Sequence, residues 1–133
     1  MKLIVCVDDN LGMAFNHRRQ SKDRNVKQYI ADMSQDVKLY IDIYSLNEFS
    51  DVPQAIADAD YLNLAGPDDY CFAEVNDLGD APMASEIILI KWNKVYPSDL
   101  KLGLDMGMYE RTESEDIVGY SHDKITIEHW RKL

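Results

Sequence analysis

The segment Lys2 to Val7 constrains the fold more than any other stretch, because Leu3-Ile4-Val5-Cys6-Val7 is apolar without interruption. A run this short falls far below the ~20 apolar residues that span a bilayer. It is also short for a buried helix, so it predicts a strand covered on both faces. Such a strand lies inside a sheet and needs a packed layer on each side of it. Asp8-Asp9-Asn10 ends the run, and Asn10-Leu11-Gly12 predicts a turn. The N-terminus has neither the long apolar region nor the small-residue cleavage site of a secretory signal, so the run reads as structure rather than as a leader.

Downstream, residues 13–20 show no period and are expected to be a loop. Ser21 is the expected N-cap of a helix whose apolar face is Val26, Tyr29, Ile30 and Met33, spaced i, i+3, i+4, i+7. Strict alternation predicts a strand over Val37 to Tyr44. A second helix is expected from about Val52 to Ala65, with Pro53 in its first turn and Gly66-Pro67 as its stop. Further strands are expected at Tyr70 to Val75, Ile87 to Trp92, Leu100 to Leu104 and Ile125 to Trp130, with a short helix as the alternative for the last. Residues Glu110 to Glu115 are polar enough to suit a sheet edge, and 76–85 reads as a loop. The fold class is therefore α/β: one domain of 133 residues, a mixed β-sheet with helices packed on it.

Hydrophobic residues make up 46% and charged residues 29% of the chain, which suits a packed globule rather than a disordered one. A net charge of −10 argues against general nucleic-acid or anionic-membrane binding. Cys6 and Cys71 lie in strand-like runs and read as buried, reduced thiols of a cytoplasmic protein. The charge is uneven: residues 17–28 hold five cations against Asp23 alone, a net +4, which leaves −14 on the other 121 residues. Arg18, Arg19, Lys22 and Arg24 are thus the candidate binding residues for a phosphate- or carboxylate-bearing ligand, or for an acidic partner.

No zinc or other metal site is expected. His17, His122 and His129 form neither H-E-x-x-H nor His-x-His, and no C-x-x-C occurs. Asp8-Asp9 and Asp68-Asp69 read as turn caps rather than magnesium ligands. The P-loop, dinucleotide and G-x-S-x-G fingerprints are all missing. Metal-free phosphodiester cleavage needs two acid/base groups and a cation, which His17, His122 and an arginine can supply. Trp92, Tyr96 and Trp130 are expected in the core, or, if exposed together, as an aromatic patch for a partner or a homodimer.

Two resemblances follow from particular stretches. Ile4-Val5-Cys6-Val7-Asp8-Asp9-Asn10, Asn16 to Arg24, Asp69-Tyr70-Cys71-Phe72, Lys91 to Pro97 and Gly119 to Thr126 resemble a family of short bacterial proteins without an established activity, to which the label ribonuclease Z is often attached. Ribonuclease Z itself is a two-metal enzyme with a His-x-His-x-Asp-His motif that this chain lacks, so that activity is not carried over. The opening Leu3 to Met13, the loop–helix–strand order after it, and the last third with Ser121-His122 before the closing strand are similar to dihydrofolate reductase. That resemblance implies a shortened reductase-like fold, with Asp23 near the carboxylate that holds the pterin and the basic segment bordering the cleft. Asp23 thereby joins His17 and His122 as a candidate catalytic group. After Ile43 the reductase pattern has Gly-Arg-x-Thr for the cofactor phosphates; this chain has Tyr44-Ser45-Leu46-Asn47, and the Gly-Gly pair and the Leu-Pro-Trp are absent. No nicotinamide or other cofactor is therefore expected. The leading expectation is a small binding module, with a metal-independent ribonuclease or phosphoester hydrolase and a structural homodimer as the alternatives.

Overall fold

The computed structural model describes residues 1–133. Strand β1 (Lys2–Val7) lies at the centre of a seven-stranded sheet, as its continuous apolar run requires. It pairs in parallel with β6 (Tyr70–Ala73) on one side and β7 (Glu86–Lys91) on the other. Beyond β6 come β4 (Leu39–Ile41) and β5 (Ala55–Ala57), both parallel. Beyond β7 come β10 (Ile125–Lys132) and then β9 (Tyr109–Ile117), both antiparallel to their neighbours. A small second sheet joins β3 (Arg18–Arg19), β2 (Gly12–Phe15) and β8 (Leu100–Lys101).

Alternate residues of β1 face opposite layers. Leu3, Val5 and Val7 pack with Cys71, Ala73, Ile87, Leu89 and Tyr61 on one face. Ile4 packs on the other face with Phe72, Ile88, Ile90, Trp92 and helix α1 (Arg24–Met33). Val26 and Ile30 of α1 are buried there, and each contributes about 1.5–3 kcal/mol. No helix is long and apolar enough to cross a membrane.

Several local expectations are corrected. Residues 13–20 are a hairpin rather than a loop: β2 and β3 turn about Asn16 and His17, both at positive φ (54° and 59°). A two-residue turn of that kind matches the twist of paired strands. Asp23, not Ser21, caps α1, because its carboxylate reaches the Asn25 N–H at 2.9 Å while the Ser21 hydroxyl turns elsewhere. The helix expected over 52–65 is absent as such. Ala55–Ala57 adds to the open edge of β4, and only Tyr61–Leu64 is helical (α2). Asp58 accepts the Asp60 N–H at 2.8 Å, a local bond that competes with a continuous helix. The strand over 37–44 shortens to Leu39–Ile41, because Asp42 accepts the Tyr44 N–H and starts a 3-10 turn, Ile43–Ser45. That over 100–104 shortens to Leu100–Lys101, the only part that meets β2. The closing strand forms as a strand, and the acidic β9 is a sheet edge.

Trp92, Tyr96 and Trp130 do not share a patch. Trp92 is buried, with Tyr96 packed on the α1 side of the sheet and Trp130 on the opposite side. Cys6 packs on the α1 side and Cys71 on the other, so the sheet itself separates the two free thiols.

Candidate functional site

The segment that leads into α1 is extended, so Ser21 and Asp23, two residues apart, address the same neighbour. That neighbour is His122, just before β10. Its Nδ1 lies 2.8 Å from Asp23 Oδ2, and its Nε2 lies 3.0 Å from Ser21 Oγ and 3.3 Å from the Tyr96 hydroxyl. The indole of Trp92 stacks on the imidazole at 4.8 Å and 25°. Asp23 and His122 are 5% and 7% exposed, so this is a buried ionisable pair with both ring nitrogens partnered.

Asp23 is heavily satisfied. Its carboxylate accepts the N–H groups of Asn25, Tyr120 and Ser121, the Ser121 hydroxyl, and His122 Nδ1. Burial opposes its charge. The hydrogen bonds from the Tyr120 backbone, the His122 ring and the Ser121 and Asn25 backbones outweigh burial and hold its pKa well below the usual carboxylate range. The 119–122 loop can approach this closely because residue 119 is glycine. A Cβ there would stand 2.6 Å from His122 O and 2.9 Å from Asp23 Oδ2.

A carboxylate that stays ionised only accepts hydrogen bonds, so His122 Nδ1 carries a proton. In the neutral ring Nε2 is then the acceptor, and the Ser21 hydroxyl donates to it. The chain Ser21–His122–Asp23 therefore holds an imidazole with its basic nitrogen against a hydroxyl.

The basic segment is largely neutralised from within. Arg19 forms a two-pronged pair with Glu74 at 2.8 and 2.9 Å, and its guanidinium lies over Tyr44. The bonds to Glu74 outweigh the cost of partial burial and raise the Arg19 pKa further. Lys22 faces Glu48 at 3.9 Å, Lys27 meets Asp51 at 2.6 Å, and Arg24 stacks over Tyr120 at 4.4 Å. Arg18 is exposed and has no such partner. It lines an open cavity of about 480 Å³ with Phe15, Asn16, Gln20, Tyr96 and Arg19.

The cleft beside Asp23 is nearly filled by the chain's own side chains. Cys6, Ile30, Phe49, Phe72 and Trp92 line it together with Ser21, Arg19 and Glu74, leaving about 20 Å³. That is room for about one water. Where the reductase pattern has its phosphate-binding residues, the Tyr44 hydroxyl accepts the Arg19 N–H and the Ser45 hydroxyl donates to Glu74.

Of the residues singled out from sequence, Asp23 and His122 meet, whereas His17 does not join them. His17 is exposed at the hairpin tip and lines a different cavity, with Asp77, Asp99 and Leu100. No group of three or more His, Cys, Asp or Glu side chains converges in a way that could hold a metal ion. Asp8 serves its turn, accepting the Asn10 and Gly12 N–H groups. Asp69 accepts the Gly66 N–H. Sequence reasoning missed Ser21, Trp92 and Gly119 as site residues. The one available signal was the Ser-x-Asp spacing on an extended segment, which is too common to single out.

No family model and no curated protein sequence matches this chain. Among solved structures, dihydrofolate reductase from Enterococcus faecalis, complexed with NADP(H) and RAB-propyl, is similar with a TM-score of 0.69. The match covers 98% of this chain and 95% of the reductase chain at 8% sequence identity. A likeness of that extent at that identity speaks to architecture: the chain has a dihydrofolate reductase-like α/β fold.

Proposed function

We propose that this chain is a binding module for a small phosphate- or carboxylate-bearing ligand, held at the open cavity beside Arg18. The observation that carries this reading is the unpaired Arg18 guanidinium on the wall of a cavity of about 480 Å³. That volume is within the range of small-molecule sites. Tyr96 and Phe15 offer flat apolar surface beside the charge, and Arg19 adds its residual field from the far side of its pair with Glu74. The fold also accommodates such chemistry elsewhere, since the similar reductase is complexed with NADP(H), a phosphate-bearing molecule. Lys22 and Arg24 shape the local potential rather than touch the ligand, because each faces a partner within the chain.

A thermal-shift panel of inorganic phosphate, a nucleoside monophosphate and a dicarboxylate tests the reading. At least one probe should raise the wild-type melting temperature, by about 2.7 kcal/mol of stability at a hundredfold excess over its Kd. Arg18→Ser should abolish the shift without lowering the ligand-free melting temperature. Arg19→Ser should lower that temperature even without ligand, since it strands Glu74. A wild-type protein indifferent to every probe, or a shift that survives Arg18→Ser, overturns the proposal.

A further inference from the structure

The binding reading leaves the buried relay beside α1 without a task. From its geometry we propose that Ser21 is a nucleophile toward short-chain carboxylic esters, with His122 as its general base and Asp23 as the residue that positions the imidazole. The inference does not rest on the Arg18 cavity, and the two stand or fall separately.

Three features combine. First, the order of contacts is hydroxyl, Nε2, Nδ1, carboxylate, at 3.0 Å and 2.8 Å. Such a relay is recognised by geometry and roles, not by position along the chain. Second, the imidazole is fixed: Trp92 covers one face and Asp23 sets the tautomer, so Nε2 faces Ser21 without reorganisation. Third, Ser21 is not sealed in. It is half-buried and lines the small cavity, whose wall carries Arg19, Lys22 and Lys27 together with the carboxylates of Glu48 and Glu74, so the surrounding charge is balanced. The cavity has room for about one water, less than an acetyl group needs, so a small ester brings its acyl carbon to Ser21 at the cavity mouth while the rest of the molecule stays outside. Its edge is held by the Lys22–Glu48 and Lys27–Asp51 pairs, and exposed ion pairs of this kind hold only weakly.

The reaction balances with water alone. Ser21 Oγ forms a bond to the acyl carbon as its proton passes to His122 Nε2. The ester C–O bond breaks, and the leaving oxygen takes that proton away as an alcohol. Water then attacks the acyl-serine, gives its proton to Nε2, and the carboxylic acid departs as Ser21 Oγ recovers a proton. No atom changes oxidation state.

Incubation of the full chain with p-nitrophenyl acetate and, separately, with a fluorophosphonate probe tests the proposal. Peptide mass mapping should place the fluorophosphonate adduct on Ser21, and Ser21→Ala should lower ester hydrolysis about a hundredfold or more, the scale of assisted attack. Asp23→Asn should lower kcat and move the pH profile, which a purely structural role would not do. Because Ser21→Ala also removes a hydrogen bond, Ser21→Cys provides an independent reading. Its new thiol should ionise below the ordinary ~8.5 by thiolate absorbance, activated by His122. The native Cys6 and Cys71 stay silent there, since burial raises both. No adduct on Ser21, hydrolysis unchanged in Ser21→Ala, or a thiol at position 21 with an ordinary pKa overturns the nucleophile. None of these results bears on Arg18, and loss of anion binding in Arg18→Ser leaves them untouched.

Discussion

Asp23 concentrates more of the local energetics than any other side chain. One carboxylate caps α1, ties down the 119–122 loop and orients His122, accepting five hydrogen bonds while 5% exposed. Asp23→Ala should cost about 3 kcal/mol, the scale of breaking a buried pair and stranding its partner, measured by urea denaturation. Its pH dependence has a definite sign. The folded-state pKa lies below the ordinary ~3.9 of an unfolded Asp, so folding favours the ionised form. The contribution is complete above about pH 5 and drains as pH falls through roughly 4 and below. Wild-type stability should therefore fall steeply in that window, and Asp23→Asn should flatten the fall. An equal acid slope in both proteins would show that other carboxylates dominate.

At the scale of elements, the β2–β3 hairpin sets where the basic segment sits. Its turn places Arg18 and Arg19 in strand register with Phe15 and Ala14, which separates the free cation from the paired one. His17 occupies the left-handed region at φ 59°, where a side chain is strained by roughly 1 kcal/mol. His17→Gly should therefore raise stability by about 0.5–1 kcal/mol in thermal or urea unfolding, while leaving the Ser21–His122 relay unchanged. Destabilisation would mean that the imidazole has a partner the strained turn serves. The outer strand β9 carries Glu110, Glu113, Glu115 and Asp116 beside Arg111, a charged edge of the kind that disfavours strand addition.

Across the whole molecule, a net charge of −10 coexists with a basic segment because the carboxylates Glu48, Asp51 and Glu74 meet its cations in space. The two-layered core also decides thiol chemistry. Burial raises Cys6 well above its ordinary value and pushes Cys71 up to about 12, so neither is a thiolate at neutral pH. In native protein at pH 8, iodoacetamide should modify neither thiol at an appreciable rate, and both should react together once denaturant unfolds the chain. Fast native labelling of Cys6, followed by mass spectrometry, would show that the cleft beside it opens without global unfolding.

Patterns that depend on near neighbours were legible in the sequence. The apolar run Leu3 to Val7 predicts the central strand, the spacing Val26, Tyr29, Ile30, Met33 predicts α1, and the resemblance of the opening and closing strands predicts the reductase-like fold that the solved structure shares. These follow from side-chain periodicity, which is written locally. What lay hidden depends on partners far apart in sequence. The capture of Arg19 by Glu74, 55 residues away, turns much of a basic patch into an internal ion pair. The meeting of Ser21 and Asp23 with His122, about a hundred residues on, makes a cap and a turn into one hydrogen-bonded relay. Periodicity can say which face a residue takes, but only the folded chain decides which distant group it finds there, because that distance is set by the sheet order and not by any local preference.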